Sequence, residues 1–180
     1  MSASVAGICP PVAFFLVMAI AAPLAARAQE VPIGKPRELH GIRIAAIYSP
    51  PVPMDEYWGG PPPEEADIHL EADIHATKGN RNGFGAGEWI PYLSVHYTLE
   101  LLGTGKRLSG QLWQMMATDG PHYGINVKML GAGGYRLTYR IGSPTEWGLA
   151  RHTDRKSGVA PWWEPFEVEW RFEFPTGGKQ

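Results

Sequence analysis

His69 and Glu71 stand two residues apart in the run Asp67-Ile68-His69-Leu70-Glu71-Ala72-Asp73-Ile74-His75-Ala76. An imidazole and a carboxylate at that spacing are a metal-ligand pair if the chain is extended. At a rise of ~3.3 Å per residue, positions i and i+2 share one face about 6.6 Å apart, close enough to converge on one ion. His75 lies six residues from His69, roughly 20 Å along a straight strand, and cannot share that ion. Three further candidates lie downstream. Met115 lies near the end of a strand-like segment, Leu108 to Ala117, His122 sits in Asp119-Gly120-Pro121-His122-Tyr123-Gly124, and His152 sits in Arg151-His152-Thr153-Asp154. Gly and Pro around His122 read as a tight, rigid turn. Thioether with imidazole favours copper, whereas carboxylate with imidazole suits iron or manganese. Met115 is followed by Met116; adjacent strand residues face opposite ways, so only one sulfur can point at a site. Met54, in a proline-rich stretch, reads as packing. His96 reads as an exposed strand residue. There is no His-Glu-x-x-His, no Cys/His zinc pattern and no Gly-x-Ser-x-Gly, so the chain reads as a binding protein, not an enzyme.

These residues need a scaffold, and the patterning supplies one. Ile68, Leu70, Ala72, Ile74 and Ala76 alternate with Asp67, His69, Glu71, Asp73 and His75, the signature of a half-buried strand. Ile42 to Tyr48, Pro91 to Leu101, Leu108 to Ala117, Ile125 to Leu130, Tyr135 to Ile141 and Phe166 to Phe174 read as further strands. Seventeen prolines and 22 glycines without a repeat break the chain into short elements and leave no convincing helix after the N-terminal segment. The expectation is an all-β, immunoglobulin-like β-sandwich of about seven strands. Ser49 to Glu65 and Ser143 to Pro161 read as two long loops, and long ordered loops are often functional. Lys78 to Gly87 lacks phosphate-loop spacing and reads as turn chemistry.

Residues 1–28 read as a cleaved signal peptide. Val12 to Leu24 is apolar but short of the ~20 residues that span a bilayer, and Ala26-Arg27-Ala28 offers a cleavage pattern. Residues 29–180 are then one metal-binding domain, secreted and without a membrane span in its mature form. The single cysteine, Cys9, falls in the leader, so thiolates and disulfides are unavailable to that domain. A formal net charge of -2 provides no field for nucleic acid.

The motifs taken together carry a resemblance. Ala66 to Ala76, Asn82-Gly83-Phe84-Gly85-Ala86-Gly87-Glu88-Trp89-Ile90-Pro91-Tyr92-Leu93, Asp119 to Gly124, Arg151 to Asp154, and Gly158-Val159-Ala160-Pro161-Trp162-Trp163-Glu164-Pro165-Phe166 occur in this order. The chain closely resembles the bacterial periplasmic iron-transport accessory family, the soluble metal-binding partners of FTR-type inner-membrane iron permeases. The resemblance implies an immunoglobulin-like sandwich, a homodimer, and a site that takes copper and also iron or manganese. Carried over by position, it implies His69, Glu71, Met115, His122 and His152 as metal ligands, with Asp119 in a supporting place. The expected function is capture of iron for high-affinity uptake through the permease. A copper-handling or copper-resistance protein is the alternative, and a mononuclear copper or iron oxidoreductase a more distant one.

Overall fold

Among the described residues, nine antiparallel strands make one continuous sheet that folds back on itself, and its bend is what brings the site together. The computed structural model describes residues 30–175, so the expected signal peptide lies outside the described residues. The strands are β1 (Val31–Pro32), β2 (Arg37–Leu39), β3 (Ile42–Ser49), β4 (Ile68–Ala76), β5 (Val95–Leu101), β6 (Lys106–Ala117), β7 (Gly120–Val127), β8 (Gly133–Ile141) and β9 (Phe166–Phe174). They run in the order β1-β3-β4-β7-β6-β5-β8-β9, with β2 also paired to β3.

The 12-residue β6 belongs to both layers. Its first part pairs with β5 up to Leu112, opposite Val95; its last part pairs with β7 from Trp113, opposite Gly124. The strand therefore changes partners between two adjacent residues and turns the sheet over onto itself. The two layers meet in a core of Ile44, Leu70, Ile74 and Ile125 from one side and Val95, Leu99, Leu137 and Trp170 from the other. Tyr139, fully buried on β8, spans the layers by donating its hydroxyl to the Glu71 carbonyl on β4 at 2.9 Å.

The all-β class expected from the alternation stands. Three details differ. The lead-in before β3 contributes two short strands, so the count rises above seven. The 143–165 loop holds a one-turn 3-10 helix, Pro144–Trp147. His122 does not sit on a turn: the hairpin between β6 and β7 is only Thr118-Asp119, with Gly120 at φ 134 opening β7, and His122 lies within the strand. Gly-Pro tolerates a strand start here because β7 has only just begun.

Among the described residues no helix is long and apolar enough to cross a membrane.

Candidate metal centre

Four adjacent strands present their same-parity residues to one cavity. In the β4–β7 register His69 lies opposite Asn126 and Glu71 opposite Gly124; in the β6–β7 register Met115 lies opposite His122; on the other side of β4, Ser49 lies opposite His69. Because side chains alternate, Ser49, His69, Glu71, Met115, His122, Gly124 and Asn126 share a face. The cavity over that face measures about 760 Å³ and is lined by Ser49, His69, Glu71, Met115 and His122. Its outer wall is the Pro50–Pro63 strap between β3 and β4, which contributes Met54, Asp55, Glu56 and Trp58. The strap also explains a departure from the half-buried strand expected for β4. His69 is 1% exposed and Glu71 9%, so both faces of the strand are covered at this end.

His69 has one ring nitrogen engaged and one not. Nδ1 lies 3.0 Å from Asn126 Oδ1, and Nε2 is buried with no hydrogen-bond partner among the described residues. Burial, more than the neighbouring charge of His122, holds the imidazole down at about 4 against the ordinary 6.5, with the Asn126 bond opposing the shift. It is therefore neutral at pH 7, the form that binds metals. Burial also raises the pKa of Glu71, partly offset by the Ser49 hydroxyl donating to Oε1 at 2.8 Å and by His122. The His122 ring stands edge-on to His69, centroids 5.9 Å apart and planes at 87°.

Gly124 makes the approach possible. A methyl group there would fall 2.5 Å from His69 Nε2 and 3.2 Å from Met115 Sδ. Its φ is not among the positive values, so the requirement is space and not backbone conformation. Gly124→Ala should leave the fold intact and displace both donor atoms. We expect copper affinity to fall by at least the roughly 10-fold that misplacing a ligand through its supporting shell costs, with circular dichroism unchanged; calorimetric titration checks it.

The arrangement suits a cation. A bare imidazole nitrogen, a second imidazole, a thioether and a desolvated carboxylate face one space, and a divalent ion would supply the positive charge that Glu71 lacks. Among the described residues, however, no three His, Cys, Asp or Glu side chains converge closely enough to hold an ion alone. Met115 or a donor from outside this chain must complete the set.

Of the five expected ligands, His69, Glu71, Met115 and His122 come together. His152 does not line the cavity of its own chain; its side chain is 77% exposed in the 143–165 loop. That loop is ordered by its own bonds. Asp154 accepts from the Lys156 and Ser157 amides and the Ser157 hydroxyl, His152 Nδ1 lies 2.9 Å from Ser157 Oγ, and the buried Asn82 donates to the carbonyls of Ala160 and Pro161. Asp119 lines the cavity mouth. Met116 reaches the rim but is 76% exposed, whereas Met115 is half-buried beside His69, which makes Met115 the inward sulfur. His75 is outside the cavity, and His96 is exposed beside Ser94, as its position on β5 suggested. Sequence reasoning missed Ser49, Gly124 and Asn126. The last two were open to it: His122, Gly124 and Asn126 alternate, and reading β7 from Gly120 instead of Ile125 would have put them on one face.

Comparison with known proteins finds relatives that share the fold and much of the sequence. FetP of a uropathogenic E. coli strain, expressed in the E. coli periplasm, is 50% identical and superposes with a TM-score of 0.78, over 81% of this chain and 96% of that one. The copper-reconstituted P19 protein of Campylobacter jejuni is 46% identical with a TM-score of 0.78, over 81% of this chain and 96% of its own. A UPF0423 protein of Brucella abortus is 42% identical over 171 residues, 93% of this chain and 94% of the relative. The Fe2+ transport protein family profile matches residues 27–176. With that span covering all of the described sheet and every residue of the cavity, the chain belongs to the Fe2+ transport protein family.

Proposed function

We propose that this protein is a periplasmic carrier that captures iron, also binds copper, and supports iron uptake through an inner-membrane permease. The observation that carries the reading is the unpartnered, buried Nε2 of His69, set beside Met115 across Gly124 and next to His122. An apolar isostere would be cheaper at a buried position with no hydrogen-bond partner, since an orphaned polar atom costs about 1–3 kcal/mol. A cation removes that cost. Copper suits His69, His122 and Met115; Glu71 gives the site its affinity for harder iron and for manganese as a stand-in. Copper-bound relatives support the copper reading, and the family supports iron.

His152 completes the site in this reading, from a second copy of the chain. It is exposed, held in a tightly bonded loop and outside its own cavity, while among the described residues no three His, Asp or Glu side chains of that cavity converge on one ion. A homodimer in which each copy lends His152 to the other reconciles both facts.

Titration of the mature protein with Cu²⁺, then Mn²⁺, is the direct test. About one ion per chain is expected, with binding lost in His122→Ala and weakened in His152→Ala. Mixing His69→Gln chains with His152→Ala chains should recover one tight site per mixed dimer. No recovery would show that His152 acts within one chain or not at all; no binding by the wild type would sink the carrier reading.

A further inference from the structure

Asn126, opposite His69 in the β4–β7 register, is 1% exposed, and its amide bonds lead in two directions. Oδ1 meets His69 Nδ1 at 3.0 Å and accepts the Val52 amide N–H at 3.2 Å; Nδ2 donates to the Val52 carbonyl at 2.9 Å. One side chain thus touches a candidate ligand and pincers both backbone groups of a strap residue. We propose that Asn126 is a positioning residue that couples the Pro50–Pro63 strap to His69, so that strap and metal ligand set each other's state. The proposal rests on the reading that His69 holds the cargo.

The pincer decides the chemistry. An amide oxygen only accepts and an amide nitrogen only donates. With Nδ2 held by the Val52 carbonyl and Oδ1 by the Val52 N–H, the amide cannot flip without losing both bonds. Oδ1 is thereby turned to His69, so His69 Nδ1 must be the donor. In a neutral imidazole that leaves Nε2 bare, and Nε2 is the atom beside Met115 and Gly124. The strap fixes the amide, the amide fixes the tautomer, and the tautomer fixes the ligand atom.

The same strap closes the cavity. It carries Met54, Asp55, Glu56 and Trp58 to the mouth. Beyond Val52 it is tied by Trp113 Nε1 donating to the Trp58 carbonyl at 2.9 Å, and Gly60 lies so close to β7 that a methyl there would be 2.7 Å from Ile125 Cγ1. A cation on Nε2 makes Nδ1–H a stronger donor to Oδ1, so loading tightens the amide and with it the strap. Linkage requires the converse: lifting the strap at Val52 weakens the metal by the same factor. Lifting the strap is then a release route that leaves every ligand chemically unchanged.

Amide hydrogen exchange at Val52 and its neighbours, with and without Cu²⁺, tests the coupling. In the wild type, Cu²⁺ should slow exchange at Val52 by about 10-fold, within the usual range of coupling between sites. Asn126→Ala should exchange rapidly there, lose the response to Cu²⁺ and bind it roughly 10–100-fold more weakly. Asn126→Asp keeps acceptors for His69 and the Val52 N–H but cannot donate to the Val52 carbonyl. It should hold the Nδ1–H tautomer of His69, read from ring ¹⁵N shifts, with a loosened strap; it also serves if Asn126→Ala does not fold. A metal-free arm separates the two readings. His69→Phe removes the partner of Oδ1 and should speed Val52 exchange with no metal present. If it does not, the coupling is wrong whether or not copper binds. Binding of Cu²⁺ that leaves the strap's exchange unchanged, or full affinity in Asn126→Ala, also overturns it. Failure of the wild type to bind Cu²⁺ would overturn the carrier reading alone.

Discussion

His69→Gln should abolish tight copper binding while leaving a folded protein. The side chain is the most buried of the candidate donors, and its Nε2 is the one whose lone pair has nothing else to do. Losing an outer-shell partner typically costs a metal site 10–100-fold, so losing this inner donor should cost more than that. The effect should be visible in two ways. Calorimetry should show no saturable heat in the concentration range where the wild type titrates. Thermal unfolding should lose the stabilisation by copper, which for a wild-type site at 100 times its dissociation constant is ~2.7 kcal/mol. A His69→Gln protein that still shows that stabilisation would move the primary site to the rim, where Met116, Asp119 and the strap carboxylates lie.

The metal-free protein should lose about 3 kcal/mol of stability through His69 as pH falls from 6.5 to 4. The sign follows from where the proton goes. The unfolded chain takes up a proton on this imidazole below about 6.5; the folded chain refuses it until about 4. Between those values the unfolded state binds more protons, so acid favours it, and the loss stops growing once the folded imidazole also titrates. Glu71 works the other way. Its raised pKa favours the fold below the ordinary carboxylate value, and that contribution is lost as pH rises through the raised one. The measurement must therefore be a difference. Denaturant unfolding of wild type and His69→Gln at several pH values shares the Glu71 contribution and isolates that of His69. Parallel curves would mean that protons reach His69 freely and that the strap does not seal the cavity in solution.

Much of the site was legible in the chain because strand geometry is a simple code. Alternation placed His69 and Glu71 on one face of β4, and the same period excludes His75 by distance. It also made Met115 and Met116 alternatives, a choice the half-buried position of Met115 beside His69 resolves. The all-β class followed from the same patterning with abundant turn residues. His122 was misplaced because Gly-Pro was read as a turn, when the turn proper is Thr118-Asp119 and the strand begins at Gly120.

What the sequence by itself determined, then, is which residues can bind a metal and which of them share a strand face, since a period of two is local and needs no partner. Only the tertiary structure decided that they meet. The change of partners by β6 at Leu112-Trp113 sets Met115 opposite His122, and the β4–β7 register sets Gly124 and Asn126 against Glu71 and His69. The burial of the polar face of β4 was likewise invisible, because it depends on a strap from elsewhere folding over it. His152 shows the limit most clearly: nothing in its neighbours along the chain fixes where a loop carries it, and within one chain the fold leaves it in solvent.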